Sequence, residues 1–240
     1  MNTSLQGRVA FIAGAAGGLG SVASAAFAQA GANLVLLGHN AEKLEVLAAK
    51  LNLPSSRVSI HAGNASSQQE TEAAASTAIK KFGRIDVLVN LVGGWIGGKD
   101  IFATSREDMA GMIDQHLFAS YTLIKTCVPH MLANKWGRVL AVSSPNAGRP
   151  PGNNSPYAVG KAAMEALMLS LAQEVRATGV TANLLLVKMI DTAHQRTINP
   201  SKENKSWTSP EEISATLLHL CSEEAGMING ARLPLYGEPY

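Results

Sequence analysis

The chain has 240 residues, of which 46% are hydrophobic and 16% charged, enough to bury a large core in a single domain spanning 1–240. A formal net charge of +2 without any cluster of Lys or Arg gives no footprint for nucleic acid or a membrane surface, and no apolar run is long enough to cross a bilayer. Cys127 and Cys221 lie in apolar helical patterns and read as buried thiols, which points to a reducing, cytoplasmic compartment and to no metal site.

In chain order, RVAFIAG (8–14) predicts a strand, GAAGGLG (14–20) a turn and SVASAAFAQAG (21–31) a small-residue helix ending at Gly31. Arg8 and the small residues up to Ala30 imitate a secretory signal, but five glycines between Gly14 and Gly31 make a poor apolar helix. Strand, glycine turn and helix together form a dinucleotide-binding unit, in which glycines let the backbone approach a pyrophosphate at a helix N-terminus. The spacing is Gly14-x-x-x-Gly18-x-Gly20, with Gly17 additional, which departs from the G-x-G-x-x-G pattern. Taken alone, it is also compatible with a plain turn.

Strand and helix patterns then alternate. NLVLLG (33–38) is followed by a helix from Asn40 to Leu51, and RVSIHAG (57–63) by a helix with a capping box at Ser67 and Glu70. RIDVLVNLVGG (84–94) is nearly all apolar, as a strand covered on both faces should be. A long helix over 105–133 opens with its own box at Ser105 and Asp108. After it come a strand over 137–144, a helix over 155–177, a strand over 179–187, a helix capped by Ser209-Pro210-Glu211-Glu212 and a final strand in ARLPLYG (231–237). This order predicts an α/β fold: one Rossmann-type, doubly wound parallel sheet of about seven strands, with helices on both faces.

Ligands of such sheets bind beyond the carboxyl ends of the strands. The candidate walls of the cleft are therefore Gly14–Gly20, Gly38–His39, Gly63–Asn64, Asn90–Trp95, Ser143–Ser144 and Lys188–Thr192. Among them, SSPNAGRPPGNNSPYAVGK (143–161) holds the densest chemistry. If Ser155-Pro156 opens a helix, with Ser155 as cap, Tyr157 and Lys161 share a helical face. An ammonium there would lower the phenol pKa and fit Tyr157 for proton transfer. Tyr121 and Lys125 repeat the spacing without a strand-end serine upstream, so catalysis is assigned to the Tyr157 pair.

These motifs together, from about Gly7 to Gly237, resemble the short-chain dehydrogenase/reductase family: the AGAAGGLG turn, GRIDVLVN, Ser144, Tyr157-x-x-x-Lys161, Asn183 after GVT, and the C-terminal SPEEISATLLHLCSEEAGMINGARLPLYG. The resemblance implies that Ser144 orients the substrate oxygen, that Tyr157 is the acid/base, and that Lys161 lowers the Tyr157 pKa and holds the nicotinamide ribose. It further implies that Gly14, Gly18, Leu19 and Gly20 line the pyrophosphate and that Asn90 and Gly93 follow the adenosine half. The implied reaction is hydride transfer between a nicotinamide and a carbonyl or alcohol carbon of a small molecule, by a homodimer or homotetramer. Met112, Leu123, Met164, Leu167, Met168 and Leu171 form apolar stripes that read as core or as helix faces of such an assembly.

Three positions depart from the family pattern. His116 stands where an Asn of the long helix is usual, Val187-Lys188 replaces a Pro-Gly, and Asn64 replaces an Asp that meets the adenine amine. His116 either relays protons to Lys161 through a titratable ring or simply packs. A narrower resemblance links GGWIGG (93–98), IDT (190–192) and SWTSPEE (206–212) to the dihydropteridine reductase branch. It implies that Ile190 and Thr192 touch the nicotinamide, and makes quinonoid dihydropterin reduction the alternative activity. A third reading, from the departures, is an NAD(P)-binding sensor or scaffold that has lost catalysis.

Two further expectations concern specificity. The second strand ends LLGHN with no acid at Gly38, His39 or Asn40, and His39 can donate to a 2′-phosphate, so NADP(H) is expected over NAD(H). Trp95, on a loop flanked by Gly93, Gly94, Gly97 and Gly98, has little local packing and is expected to stack on a planar substrate. The long polar segment 192–208 has the profile of a substrate lid.

Overall fold

Every apolar run but the third and the last becomes a strand buried along most of its length. The computed structural model describes residues 3–237, so residues 1–2 and 238–240 of the expected 1–240 domain lie outside the described residues. The strands are β1 (Val9–Ala13), β2 (Asn33–Gly38), β3 (Val58–Ala62), β4 (Val87–Asn90), β5 (Gly137–Ser143), β6 (Val180–Leu186) and β7 (Arg232–Pro234). They form one seven-stranded parallel sheet in the order β3-β2-β1-β4-β5-β6-β7. Alternate residues of β1 serve opposite layers: Val9, Phe11 and Ala13 pack into one core, Ala10 and Ile12 into the other.

Among the described residues eight α-helices connect the strands: α1 (Gly18–Gln29), α2 (Ala41–Leu51), α3 (Gln68–Phe82), α4 (Arg106–Ile113), α5 (Ala119–Ala133), α6 (Ser155–Glu174), α7 (Gln195–Ile198) and α8 (Pro210–Leu220). Residues of α1, α2 and α8 fill one layer, and residues of α3, α5 and α6 the other. The expected doubly wound fold is present, and strand order reverses between β1 and β4, where ligands of such sheets bind.

Local chemistry shifts several expected boundaries. The run 84–94 yields a short β4 because the Asp86 carboxylate is taken by Val9 N (2.8 Å) and the Arg84 guanidinium. Past Asn90 the chain leaves the sheet, Asn90 Oδ1 accepting from Val92 N at 3.0 Å. The single helix expected over 105–133 is interrupted by a π turn at Asp114–Phe118 between α4 and α5. Ser67 and Ser105 each cap a helix, but their box partners turn elsewhere: Glu70 accepts from Asn64 N and Asp108 pairs with Lys99. Only the Ser209–Glu212 box closes both ways. Asn154, not Ser155, takes the cap position of α6.

Candidate active site

A cavity of 660 Å³ opens beyond the carboxyl ends of β1, β4, β5 and β6. Among the predicted residues it brings together Gly14, Gly18, Leu19, Gly20, Gly93, Trp95, Ser144, Tyr157, Lys161, Ile190 and Thr192. The glycine turn is built by close approach. Gly14 has φ +79° and a Cβ there would lie 2.8 Å from the Leu91 backbone, while a Cβ on Gly20 would overlap the Gly14 carbonyl oxygen. A Cβ on Gly18 would sit 2.8 Å from the Thr192 methyl, so the turn and the segment after β6 face each other across the cleft.

The catalytic candidates meet where the end of β5 lies against the first turns of α6. The last two residues of β5 and the one that follows engage three successive turns of the helix. The Val142 carbonyl accepts from Lys161 Nζ at 2.8 Å, the Ser143 hydroxyl donates to Glu165 Oε1 at 2.6 Å, and the Ser144 hydroxyl neighbours the Tyr157 phenol and favours its charged form. Ser144 is held in turn by accepting from Asn146 N at 3.3 Å. Glu165 Oε2 is closed off by Arg232 Nε at 2.8 Å.

The expected lowering of the Tyr157 pKa by Lys161 is corrected here. Burial pushes the Tyr157 phenol up, and the Ser144 hydroxyl pulls it back. Lys161 does not act on it as foreseen because its amine points to the Val142 carbonyl and stands 5.9 Å from the phenol ring centre. The amine is itself buried and pushed down to about 8, against the opposing charge of Glu165.

His116 enters from the π turn, edge-on to the Tyr157 ring at 5.5 Å between centres. It is wholly buried, and among the described residues neither ring nitrogen meets a hydrogen-bond partner; Gly94's backbone pulls toward the charged form without the geometry of a hydrogen bond. Burial, reinforced by the Lys161 charge, pushes the imidazole down to about 3. Of the two roles considered for His116, a ring neutral throughout the ordinary pH range fits packing and not a titratable relay.

Trp95 is 61% exposed yet more tethered than its glycine-rich loop suggests. Its indole N–H donates to Asn154 Oδ1 at 2.8 Å, and the ring seats on Gly97, where a Cβ would come within 2.6 Å. It lines the main cavity on one side and a smaller hollow with Pro151, Asn153 and Asn154 on the other. Of the segment 192–208, only Thr192 lines the cleft. The remainder folds on itself: Asp191 caps α7, Arg196 donates to the Trp207 carbonyl at 2.6 Å, and Thr208 Oγ1 bonds the Leu235 carbonyl.

Three predicted cofactor residues stand off the cavity wall. His39 is exposed at the end of β2. Asn64 spends its side-chain oxygen on Ser66, and Asn90 is clasped between Ser120 and Val92 N, serving the loop rather than facing the opening. Tyr121 and Lys125 lie outside the cleft, Lys125 donating to Gln68. Asn146 and Glu165 were not foreseen. Asn146 carries no sequence signal, whereas Glu165 is readable as the next turn of the Tyr157–Lys161 stripe.

The lining fits a dinucleotide. A turn that a Cβ would fill runs into the N-terminus of α1, and the cleft is long enough to reach from it to Tyr157 and Lys161. Among the described residues, no helix is long and apolar enough to cross a membrane, and Cys127 and Cys221 are free, buried thiols pushed up by burial.

Residues 8–203 match the family model described as short chain dehydrogenase. The 7alpha-hydroxysteroid dehydrogenase of Escherichia coli K12 is 28% identical over 98% of this chain and 95% of its own length. A (2S)-[(R)-hydroxy(phenyl)methyl]succinyl-CoA dehydrogenase subunit of Thauera aromatica is 28% identical over 97% and 96%. Among solved structures, L-sorbose reductase of Gluconobacter frateurii, complexed with NADPH and L-sorbose, superposes with a TM-score of 0.87 at 26% identity, covering 99% of this chain and 98% of that one. A short chain dehydrogenase of Bacillus anthracis reaches 0.88 at 24% identity, covering 98% and 97%. With its parallel sheet, its glycine turn and the family match over most of its length, this chain is a member of the short chain dehydrogenases, oxidoreductases that bind NAD(P).

Proposed function

We propose that the protein reduces a carbonyl, or oxidises the corresponding alcohol, with Tyr157 as acid/base, Ser144 orienting the substrate oxygen and Lys161 as the adjacent charge. The observation that carries this reading is the meeting of a phenol, a hydroxyl and a buried amine at one end of the cleft. A nicotinamide dinucleotide held along Gly14–Gly20, Gly93, Ile190 and Thr192 would supply or accept the hydride. The chain's own part is proton handling. With its pKa raised, Tyr157 is protonated at neutral pH and can donate to a carbonyl oxygen. The Ser144 hydroxyl donates to the same oxygen as charge develops there.

The wall chemistry supports a substrate class. Leu91, Val92, Trp95, Val142, Val187 and Met189 give the cleft an apolar lining around these polar groups. Such a lining suits an alcohol or ketone carried on an apolar or ring-shaped body, in keeping with the hydroxysteroid and phenyl-bearing substrates for which two relatives are named. NADP(H) is preferred over NAD(H) in this reading. No carboxylate stands at Gly38–Asn40, and Ser21, Asn40 and Lys43 line a hollow beside the glycine turn, with Glu42 as its acidic member. Assembly into a homo-oligomer is supported by Phe118, Tyr121 and Val159, apolar side chains left about half exposed along the π turn, α5 and α6.

The test is a rate panel of ring ketones, aliphatic ketones, aldehydes, quinones and quinonoid dihydropterin, each with NADPH and NADH, run on the native protein and on Tyr157→Phe. Turnover of ketones that Tyr157→Phe loses supports the reading. Turnover of quinonoid dihydropterin alone would shift the assignment to pterin reduction, and equal efficiency with NADH would remove the cofactor preference.

A further inference from the structure

Tyr157, Lys161 and Glu165 are spaced at i, i+4 and i+8, so they form one stripe along α6 facing the end of β5. The first two belong to the site already described. Glu165 lies one turn further from the cleft mouth, does not line the cavity, and is nonetheless a buried carboxylate. A buried carboxylate is costly unless each oxygen is satisfied. Both are: Oε1 accepts from Ser143, the residue directly before Ser144, and Oε2 from Arg232 on β7. The same guanidinium backs the turn after Ser144, its Nη2 standing 3.2 Å from where a Gly148 Cβ would be. One arginine from the last strand therefore touches the support of both Lys161 and Ser144.

Resting on the oxidoreductase reading above, we propose that Glu165 is a positioning residue for the Lys161 ammonium and that Arg232 is the clamp that sets how much of the Glu165 charge Lys161 feels. The groups facing Lys161 are few, which makes the coupling readable. Its own helix offers Tyr157 and Glu165; the π turn offers His116, a neutral ring; β5 offers the Val142 carbonyl and the Ser143 hydroxyl, and the residue after it the Ser144 hydroxyl. Glu165 is thus the one negative charge set against this buried amine among the described residues, and Arg232 is its counter-ion. Removing the carboxylate leaves the amine alone with its burial, and removing the guanidinium leaves the carboxylate unopposed. The two changes push Lys161 in opposite directions, which a purely architectural role for either residue would not do.

The experiment reads Lys161 directly. Protein with ¹³C-labelled lysine side chains is titrated by NMR, Lys161→Arg identifying the resonance, in the native chain, Glu165→Gln and Arg232→Met. The expected result is a Lys161 midpoint that falls by about one pH unit in Glu165→Gln and rises in Arg232→Met, the scale of a nearby opposite charge. The alkaline limb of kcat should move in the same two directions. Arg232 is 39% exposed in its side chain, so Arg232→Met tests the idea even where Glu165→Gln does not fold. An unmoved midpoint in Arg232→Met, or shifts of the same sign in both variants, would overturn the proposal. The titration needs no turnover: an inactive native chain counts against the carbonyl chemistry, and an unmoved midpoint counts against Glu165.

Discussion

At the scale of single residues, burial decides which proton each group of the cleft carries. His116 shows this most plainly, because its imidazole is neutral in the folded protein down to a pH of about 3, whereas in the unfolded chain it charges near 6.5. The unfolded state therefore binds the extra proton, and stability is lost as pH falls through that window. Chemical denaturation at pH 7 and pH 5 should show a loss that His116→Asn reduces by roughly 1–2 kcal/mol, since one pH unit of difference is worth about 1.4 kcal/mol. Tyr157→Phe should lower kcat by about 10²–10⁴ while nucleotide affinity, measured by fluorescence titration, changes little. Tyr121→Phe, outside the cleft, should keep native activity. Ser144, Tyr157 and Lys161 were legible because spacing and residue type alone place them together. The direction of the Tyr157 shift was not, since it depends on where the Lys161 amine points, and the carbonyl that captures it belongs to a strand residue without a telling side chain.

At the scale of elements, the period of apolar residues located nearly every strand and helix, and the exceptions have polar causes. The π turn at Asp114–Phe118 leaves no mark in hydrophobic pattern, because α4 and α5 keep the same buried face on either side of it. What that turn packs against is legible only in three dimensions. Gly160 of α6 comes so near that a Cβ would lie 2.6 Å from the Met112 carbonyl oxygen and 3.0 Å from His116. Gly160→Ala should therefore lower the melting temperature despite alanine's better helix propensity: overpacking costs about 1–3 kcal/mol, against a gain of about 1 kcal/mol. A rise in melting temperature would show that the helices can separate freely. Trp95 joins two elements, its loop and the cap of α6, through Asn154. Trp95→Ala should raise KM for planar ring substrates and leave small aliphatic ketones little changed; a fall in nucleotide affinity alone would assign the ring to the cofactor instead.

At the scale of the whole molecule, alternation of strand and helix was enough to foresee the sheet, because a parallel sheet needs apolar runs and crossover helices and little else. The outer surface was less legible. Of the residues read as candidate stripes, Met112, Leu123, Met164, Met168 and Leu171 are core, and the exposed apolar positions of the π turn, α5 and α6 are instead Phe118, Tyr121, Leu132 and Val159. Val159→Asp should dissociate the proposed assembly in sedimentation experiments while leaving the fold intact by circular dichroism; an unchanged sedimentation coefficient would place the contact elsewhere. The strand order also has a kinetic meaning. β3-β2-β1 and β4-β5-β6-β7 are two half-sheets joined by one ladder of four residue pairs, Ala10↔Val87 to Ala13↔Asn90. Closing that ladder means bringing together segments separated by much of the N-terminal half, a slow step for a chain of this topology. The cleft straddles the same joint, with the glycine turn on one half and Tyr157 and Lys161 on the other. A dinucleotide bound there would act as a rivet across this seam, so protection of the β1–β4 amides from solvent exchange should climb with nucleotide concentration before that of any other part of the sheet.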